Sequence, residues 1–263
     1  MKADESKHTT IVIGDGAAIP RKKDRGLLNA WWISLGIAVF FIIFLPVYQP
    51  DPYWDALLFI SDGIFVTFQV TVFSILGALV LGLITGLGRL SKNRVFSLIA
   101  STYVEIVRGI PLIVQLVYFY YALAKFLHLQ GMVAAVMAMS ICYGAYMGEV
   151  FRAGIDSIDK GQKEAARSLG FNGRQTMALV ILPQAWRTIL PPVGNEFIAL
   201  LKDSSLISVV AIADIFRRGR EFVAVDFTAF ETYTMVALVY LIFTLILSKI
   251  VSIMEQRLSH YVD

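Results

Sequence analysis

The chain is predicted to be an all-α membrane protein with about six transmembrane helices, because its apolar residues fall in long blocks. It has 263 residues, of which 57% are hydrophobic and 16% charged, and its mean hydropathy is +0.68. A soluble domain averages roughly 45–50% apolar and about 25% charged residues. The length of each block is close to the ~20 residues that a helix needs to cross a hydrocarbon core of about 30 Å. A soluble protein with a large core would need amphipathic blocks, which these are not.

The N-terminal region is predicted to be a tail followed by an extra span. Residues 1–26 are mixed and polar, with neither an early apolar core nor a small-residue cleavage site, so a poorly ordered cytosolic tail is expected rather than a cleaved signal peptide. Residues 27–47 form the first predicted span. Trp31 and Trp32 near its start and Trp54 beyond its end follow the pattern of aromatic residues at both membrane interfaces.

Five further spans are predicted. Together they form one transmembrane domain at residues 60–255. Glycines in the first of them would let neighbouring helices approach closely. Counted from the N-terminus, the third predicted span is broken at Gly109-Ile110-Pro111, and the fifth is interrupted at Lys202-Asp203-Ser204-Ser205. A polar island at residues 152–187 lies between two of the spans. The five spans are predicted at residues 63–88, 96–124, 131–151, 188–216 and 233–253.

The distribution of basic residues predicts that both termini lie in the cytoplasm. The tail, the loop after the second span, the polar island and the C-terminal tail at residues 256–263 all fall on one side, and all carry Lys or Arg. Such an excess marks the cytoplasmic side. One opposite loop departs from the rule, since it contains Arg217, Arg218 and Arg220.

The polar island is predicted to contain a short helix within residues 156–171, which are rich in helix-forming residues. Gly170 suits the position just beyond a helix C-terminus, with Phe171 available for the accompanying hydrophobic contact. Ala165 and Ala166 give the helix a small face that could insert into a groove on a partner protein. An ordinary helix lying on the membrane surface is the alternative interpretation.

The island also carries a sequence motif. Glu164-Ala165-Ala166 is followed after three residues by Gly170 and after nine more by Val180-Ile181-Leu182-Pro183. This arrangement resembles the cytoplasmic coupling loop of ATP-binding-cassette (ABC) importer permeases, with Val in place of Ile at position 180. Residues 104–116, 190–197 and 201–206 resemble the E-x-x-R-G-x-P-L-x-V-Q, P-P-x-x-N-E-F and L-K-D-[ST]-S-L segments of the polar amino acid subfamily, the histidine, glutamine and arginine type.

The resemblance implies a transport machine with several other parts. A second permease subunit, a copy or a paralogue, would complete the pathway in a bacterial inner membrane. Two cytoplasmic ATPases would each receive one coupling helix, and a periplasmic or surface-tethered binding protein would deliver the amino acid. The coupling residues would be Glu164, Ala165, Ala166, Gly170, Leu182 and Pro183.

The chain itself is predicted to bind no cofactor and to have no catalytic site. It has no G-x-x-x-x-G-K-[ST] loop, so ATP and Mg²⁺ would be bound by the partner ATPase. Cys142 stands alone, and no basic face suggests nucleic acid. An ion-coupled secondary transporter is the alternative function, but its coupling carboxylates are few here. A membrane enzyme would need a catalytic cluster, which is not seen.

The candidate substrate residues are charges within predicted spans, which are costly there and functional by default. Glu105 and Arg108 lie three apart on one helical face and either pair with each other beside the Gly109–Pro111 break or contact substrate. At the second break, Lys202 would suit an amino acid's carboxylate and Asp203 its ammonium, with hydroxyls from Ser204 and Ser205. The alternative is that Lys202 and Asp203 neutralise each other.

Overall fold

The structure, a computed structural model, describes residues 29–259. The predicted tail at 1–26, residues 27–28 of the first predicted span and residues 260–263 lie outside this part. Within residues 29–259 the regular secondary structure is helical, which confirms the predicted all-α class. The main helices are α1 (Ala30–Tyr48), α2 (Pro50–Arg89), α3 (Arg94–Gly109), α4 (Leu112–Leu127), α5 (Gly131–Asp156), α6 (Lys160–Ser168), α7 (Leu182–Asp203), α8 (Ile215–Asp226) and α9 (Ala229–Ser259).

Four of these helices, α1, α2, α5 and α9, are long and apolar enough to cross a membrane. The pair α3 and α4 together gives a fifth candidate span. Helix α7 is 22 residues long, but it carries charges such as Glu196 and Lys202 and is too polar to qualify on composition alone. The number of six crossings therefore stays a prediction.

Helix α2 begins earlier than predicted. Its first residues are Pro50 to Asp62, a segment that was expected to be a loop, so that part of the prediction is wrong. Prolines are tolerated in the first turn of a helix because the N–H groups there have no intrahelical partner. Tyr53 and Ile60 are buried in a cluster with Met235 of α9, and this burial stabilises the additional turns.

Helices α2 and α5 pack closely through small residues, as the glycines of the second span suggested. Gly77 and Gly82 of α2 approach side chains of α5 so closely that a Cβ atom would clash with Ser140 or Met147. A Cβ at Gly86 would lie 2.8 Å from the Cβ of Phe151, well inside van der Waals contact. Small residues permit such close packing where lipid provides no hydrophobic force between helices.

The predicted break at Gly109-Ile110-Pro111 is present. The axes of α3 and α4 differ by 98° across it. Proline disfavours helical conformation in the preceding residue, and Ile110 accordingly has extended backbone angles of φ −107° and ψ 127°. The chain therefore turns sharply within the depth of the predicted third span.

The fifth predicted span ends earlier than residue 216. A 3-10 helix, Ser204–Val210, follows α7 directly, so the interruption after residue 203 is confirmed. Ala211 then adopts a left-handed conformation with φ 61°. The buried Asp214 caps a new helix by accepting a hydrogen bond from the N–H of Arg217 at 2.9 Å. The continuation to residue 216 was wrong because this turn and cap start α8.

The outer-loop arginines have local counter-charges. Arg217 and Arg218 of α8 bind the carboxylate of Glu221 at 2.8 Å and 3.1 Å, and Arg218 also lies 3.8 Å from Asp62. The hydrogen bond from Arg217 holds the pKa of Glu221 below its usual value. Two of the three arginines that departed from the charge rule are therefore paired with acidic residues.

Helix α1 is attached to the side of the bundle at α9. The indole Nε1 of Trp31 donates a hydrogen bond to the carbonyl of Leu245 at 2.8 Å, and the ammonium of Lys249 lies 5.0 Å from the centre of the same ring. Most other α1 side chains face outward and are apolar, as expected of a helix in lipid. Helix α9 continues to Ser259, so the predicted C-terminal tail begins inside a helix.

Candidate functional site

The helix predicted in the polar island forms as α6, but it is shorter than residues 156–171. The carboxylate of Asp159 caps its start by accepting a hydrogen bond from the N–H of Gly161 at 2.7 Å. Ala166 is only 3% exposed, whereas Glu164 and Ala165 are exposed. Of the two alanines that were expected to face a partner, Ala166 instead packs against its own chain and Ala165 remains on the outer surface.

The C-terminus of α6 has the cap that Gly170 predicted. Gly170 has φ +86°, its N–H donates to the carbonyl of Arg167 at 2.9 Å, and the N–H of Phe171 donates to the carbonyl of Ala166 at 3.1 Å. These two bonds form a Schellman motif. A Cβ at Gly170 would meet nothing within 4 Å. Backbone conformation alone therefore favours glycine at this position.

The second half of the motif leads into α7. Ile181 is fully buried in the hydrophobic core together with Ile155 at the end of α5, and Leu182 packs against the same core. Pro183 lies in the first turn of α7, which follows directly on a π-helix at Thr176–Ile181. The apolar residues of the motif thus anchor the island to the transmembrane bundle.

A direct polar contact joins α6 to α7. The side-chain amide of Gln184 donates to Oε1 of Gln162 at 3.2 Å. From this point α7 continues without a break to Asp203, and its 22 residues extend about 33 Å at 1.5 Å per residue. One helix therefore connects the coupling segment with the second predicted substrate region.

An ion-pair network lies at the end of α5 next to the island. Glu149 binds Arg152, three residues further along α5, and it also binds Arg89 at the end of α2. Arg152 in turn contacts Asp156 at 2.9 Å. The carboxylate of Glu149 thus bridges two arginines on different helices, and the network ties the ends of α2 and α5 together.

At the second break, the Lys202 and Asp203 side chains do not pair with each other within residues 29–259. Lys202 is exposed, while Asp203 turns inward. The hydroxyls of Ser204 and Ser205 donate to the carbonyls of Leu201 and Lys202 at 2.7 Å and 2.8 Å. These hydroxyls therefore satisfy the carbonyls at the end of α7, and the mutual-neutralisation interpretation of Lys202 and Asp203 is wrong.

Tyr143 of α5 is the partner of Asp203. Its hydroxyl, on a side chain that is 3% exposed, donates to Oδ2 of Asp203 at 2.8 Å. The sequence did not single out Tyr143, because a tyrosine within an apolar span is more often packing than a polar ligand. The only sequence feature that could have indicated this contact was that Tyr143 lies in the same predicted bundle as Asp203.

Glu105 and Arg108 are not paired either. Of the two alternatives, the one in which they pair with each other is wrong, because the guanidinium of Arg108 lies over the ring of Tyr146, 5.2 Å from its centre. Glu105 is exposed and has neither an ion pair nor a side-chain hydrogen bond among the described residues. The charges of Arg108 and Asp203 both act on the half-buried Glu196 of α7. Arg108, Asp203 and Glu196 thus lie in one charged region.

The break between α3 and α4 is held by Gln115, which the sequence indicated only as part of a longer segment. Its amide donates to the carbonyls of Val107 and Ile110, both at 2.8 Å, and so satisfies groups freed by the break. A cavity of about 400 Å³ opens beside it. The cavity is lined by Val107, Ile110, Val114, Gln115, Tyr118, Phe119 and Ile141.

Comparisons with known proteins agree with this arrangement. Residues 78–260 match a family model described as "Binding-protein-dependent transport system inner membrane component". The chain is 38% identical over 208 residues to the glutamine transport system permease protein GlnP of Escherichia coli (strain K12), covering 78% of this chain and 95% of that protein. It is 39% identical over 212 residues to the L-cystine transport system permease protein TcyB of Bacillus subtilis (strain 168), covering 80% and 89%.

A solved structure is also similar. It is described as the crystal structure of an amino acid ABC transporter with histidines. The TM-score is 0.73 at 37% sequence identity, and the match covers 82% of this chain and 98% of the solved chain. The relatives are thus covered almost completely, whereas about a fifth of this chain has no counterpart in them.

Proposed function

Because the chain belongs to the family of binding-protein-dependent transport system inner membrane components, as an amino acid permease of the ABC type, we propose that it moves a polar amino acid inward through the bacterial inner membrane. A separate ATPase dimer drives this transport from the cytoplasm and carries the ATP and Mg²⁺. A periplasmic or surface-tethered binding protein delivers the substrate. The permease region is residues 60–255, preceded by the extra span and the tail, with both termini in the cytoplasm.

The observation that carries the proposal is the construction of α6. The helix is capped at both ends, anchored through the buried Ala166, and exposed at Glu164 and Ala165. A short, capped helix with the small residue Ala165 on its exposed side is suited to insertion into a groove of a partner protein. A helix that only covered a membrane surface would be expected to expose apolar residues along one face, and α6 (Lys160–Ser168) exposes Lys, Glu and Arg.

The geometry also supports a route from the ATPase to the pathway. A force on α6 passes through the Gln162–Gln184 contact and the Schellman turn to α7, which continues for about 33 Å to Asp203. Helix α7 transmits a displacement as one continuous helix, although Pro191 and Pro192 in its interior donate no backbone hydrogen bond. Movement of the ATPase would therefore reach the region that contains Asp203 and Glu196.

Substrate recognition is proposed at that charged region. The carboxylate of Asp203 would receive the ammonium of the amino acid, and Arg108 or Lys202 would receive its carboxylate. Ser204 and Ser205 would act indirectly, by holding the end of α7. Since these groups match the backbone of any amino acid, they would not select the side chain. Glu105, which is exposed, is proposed as a further substrate contact.

The test is transport in proteoliposomes that contain the chain with the ATPase that co-purifies with it, in the presence of the binding protein. Uptake of a labelled amino acid should require ATP and should persist when ionophores collapse the ion gradients. Uptake without the ATPase, driven by a sodium or proton gradient, would instead support the ion-coupled secondary transporter. A screen of labelled amino acids in the same system identifies the substrate.

A further inference from the structure

An open pocket of about 470 Å³ lies between the end of α4 and the start of α5. The end of α4 is irregular there, because residues Tyr118–Leu123 form a π-helix and His128 follows the last turn with a left-handed φ of 54°. Such π-helical turns are frequent at functional sites. The pocket is lined by Tyr120, Tyr121, Ala124, Lys125, His128, Leu129 and Gly131. We call it the α4–α5 pocket.

The shape of the α4–α5 pocket depends on Gly131. A Cβ atom at this position would lie 2.6 Å from a ring carbon of Tyr120, much closer than van der Waals contact. The ring of Tyr121 packs edge-on against that of Tyr120, with 5.0 Å between their centres. Because glycine leaves room for the Tyr120 ring, the two tyrosines form one wall of the pocket, and a larger residue at position 131 would displace it.

The polar groups of the α4–α5 pocket have no partner in the described part of the chain. Lys125 and His128 lie three residues apart, and both are exposed. Neither of them, nor the hydroxyl of Tyr120 or Tyr121, has an ion pair or a side-chain hydrogen bond within residues 29–259. All four side chains can donate hydrogen bonds. A pocket with several donors and an unpaired ammonium is suited to an anion with several acceptor oxygens, such as a phosphodiester.

The α4–α5 pocket lies at the level of lipid headgroups. Helix α5 begins at Gly131 and ends at Asp156, so its 26 residues extend about 39 Å from the pocket to the ion-pair network beside α6. A bilayer with its headgroup regions is about 40–45 Å thick. The pocket is therefore on the membrane side opposite α6, which is the outer side in the proposed topology. An unpaired lysine is unexpected there, because basic residues are in excess on the cytoplasmic side.

Apolar side chains next to the pocket suit the rest of a lipid molecule. Phe126 and Leu127, in the last turn of α4, are 79% and 47% exposed. We propose that the α4–α5 pocket binds the headgroup of an anionic phospholipid in the outer leaflet. Lys125 and His128 contact the phosphate, the tyrosine hydroxyls donate to its oxygens, and the acyl chains contact the apolar side chains. This inference rests on the proposed function, which places the pocket on the outer side.

The first test is photolabelling of the whole transport complex in phosphatidylcholine nanodiscs. The probe is phosphatidylglycerol with a photoactivatable group near its headgroup, and labelled peptides are identified by mass spectrometry. Label should fall within residues 118–133, and Lys125→Gln should reduce it about fivefold, the effect of one basic residue near a membrane surface. Lys92→Gln is the matched control, because Lys92 is also exposed and has no ion pair but lies in the loop after α2. Unchanged labelling of Lys125→Gln, or an equal loss in Lys92→Gln, would overturn the proposal.

The second test changes the shape of the pocket and keeps its charges. Gly131→Ala displaces the ring of Tyr120 and should also reduce the labelling, whereas Gly173→Ala, at an exposed and unobstructed position, should not. Unchanged labelling of Gly131→Ala would mean that the lipid does not use this pocket. ATPase co-purification is measured in the same samples. A complex that retains the ATPase but takes up no label would overturn the lipid site and leave the importer assignment intact.

Competition identifies the source of the anion. Inorganic phosphate in excess should leave the labelling unchanged, because it has no acyl chains to contact the apolar surface beside the pocket. A phosphatidylcholine probe of the same design should label residues 118–133 less than the phosphatidylglycerol probe, because its choline cation would lie near Lys125. Protection by inorganic phosphate, protection by the binding protein, or equal labelling by both probes would overturn the proposal.

Discussion

Substitution of Gly170 tests the link between the shape of α6 and transport. The residue adopts φ +86°, where an L-residue with a Cβ atom is strained by about 1–2 kcal/mol. A Cβ atom added at this position would meet no other atom within 4 Å, so Gly170→Ala adds strain without a clash. This cost lowers the population of the capped turn about 5- to 30-fold relative to the uncapped one. Gly170→Val should cost more, because β-branched residues are genuine outliers in this region.

The assay is amino-acid uptake and ATP hydrolysis by the reconstituted complex, with insertion of the chain measured in parallel. Uptake should fall in the order Gly170→Asn, Gly170→Ala, Gly170→Val, since Asn tolerates the left-handed conformation. Gly173→Ala is the matched control, because Gly173 is also exposed and unobstructed but has no positive φ. Normal uptake by Gly170→Val, or an equal loss with Gly173→Ala, would refute the reasoning.

Three further outcomes are expected. Asp203→Asn should abolish most uptake while the ATPase still co-purifies, and unchanged substrate affinity of the assembled transporter would argue against direct contact. Tyr143→Phe should lower the free energy of unfolding by about 1.5–3 kcal/mol, which is the contribution of a hydrogen bond to a charged group. Thermal unfolding in detergent measures this change. An unchanged midpoint would mean that the bond to Asp203 contributes nothing. Gly82→Leu should prevent accumulation of the folded chain because α5 leaves no room, whereas Gly36→Leu, with nothing within 4 Å, should accumulate normally.

Local features of the chain were predictable from sequence. The cap at Gly170 follows from the conformational freedom of glycine after a run of helix-forming residues. The bend at Gly109-Ile110-Pro111 follows from the geometry of proline and of the residue before it. Each of these depends on a few neighbouring residues, and each is present in the structure.

Features that depend on distant contacts were not predictable in the same way. The bonds from Tyr143 to Asp203 and from Gln115 across the break join residues that are polar in apolar surroundings, and sequence alone does not say which way they turn. The pairing of Glu105 with Arg108 was wrong for the same reason, because spacing on a helix permits a pair but the ring of Tyr146 competes for the guanidinium. The early start of α2 likewise depends on burial against α9.

The central claim is that the outer face of α6 contacts an ATPase. Site-specific cross-linking from two adjacent positions tests it most directly. In the whole complex, with Cys142 replaced by Ala, Ala165→Cys should cross-link to the ATPase because residue 165 is exposed. Ala166→Cys should not, because residue 166 is 3% exposed and packs against its own chain. Cross-linking from neither position, or equally from both, would contradict the account.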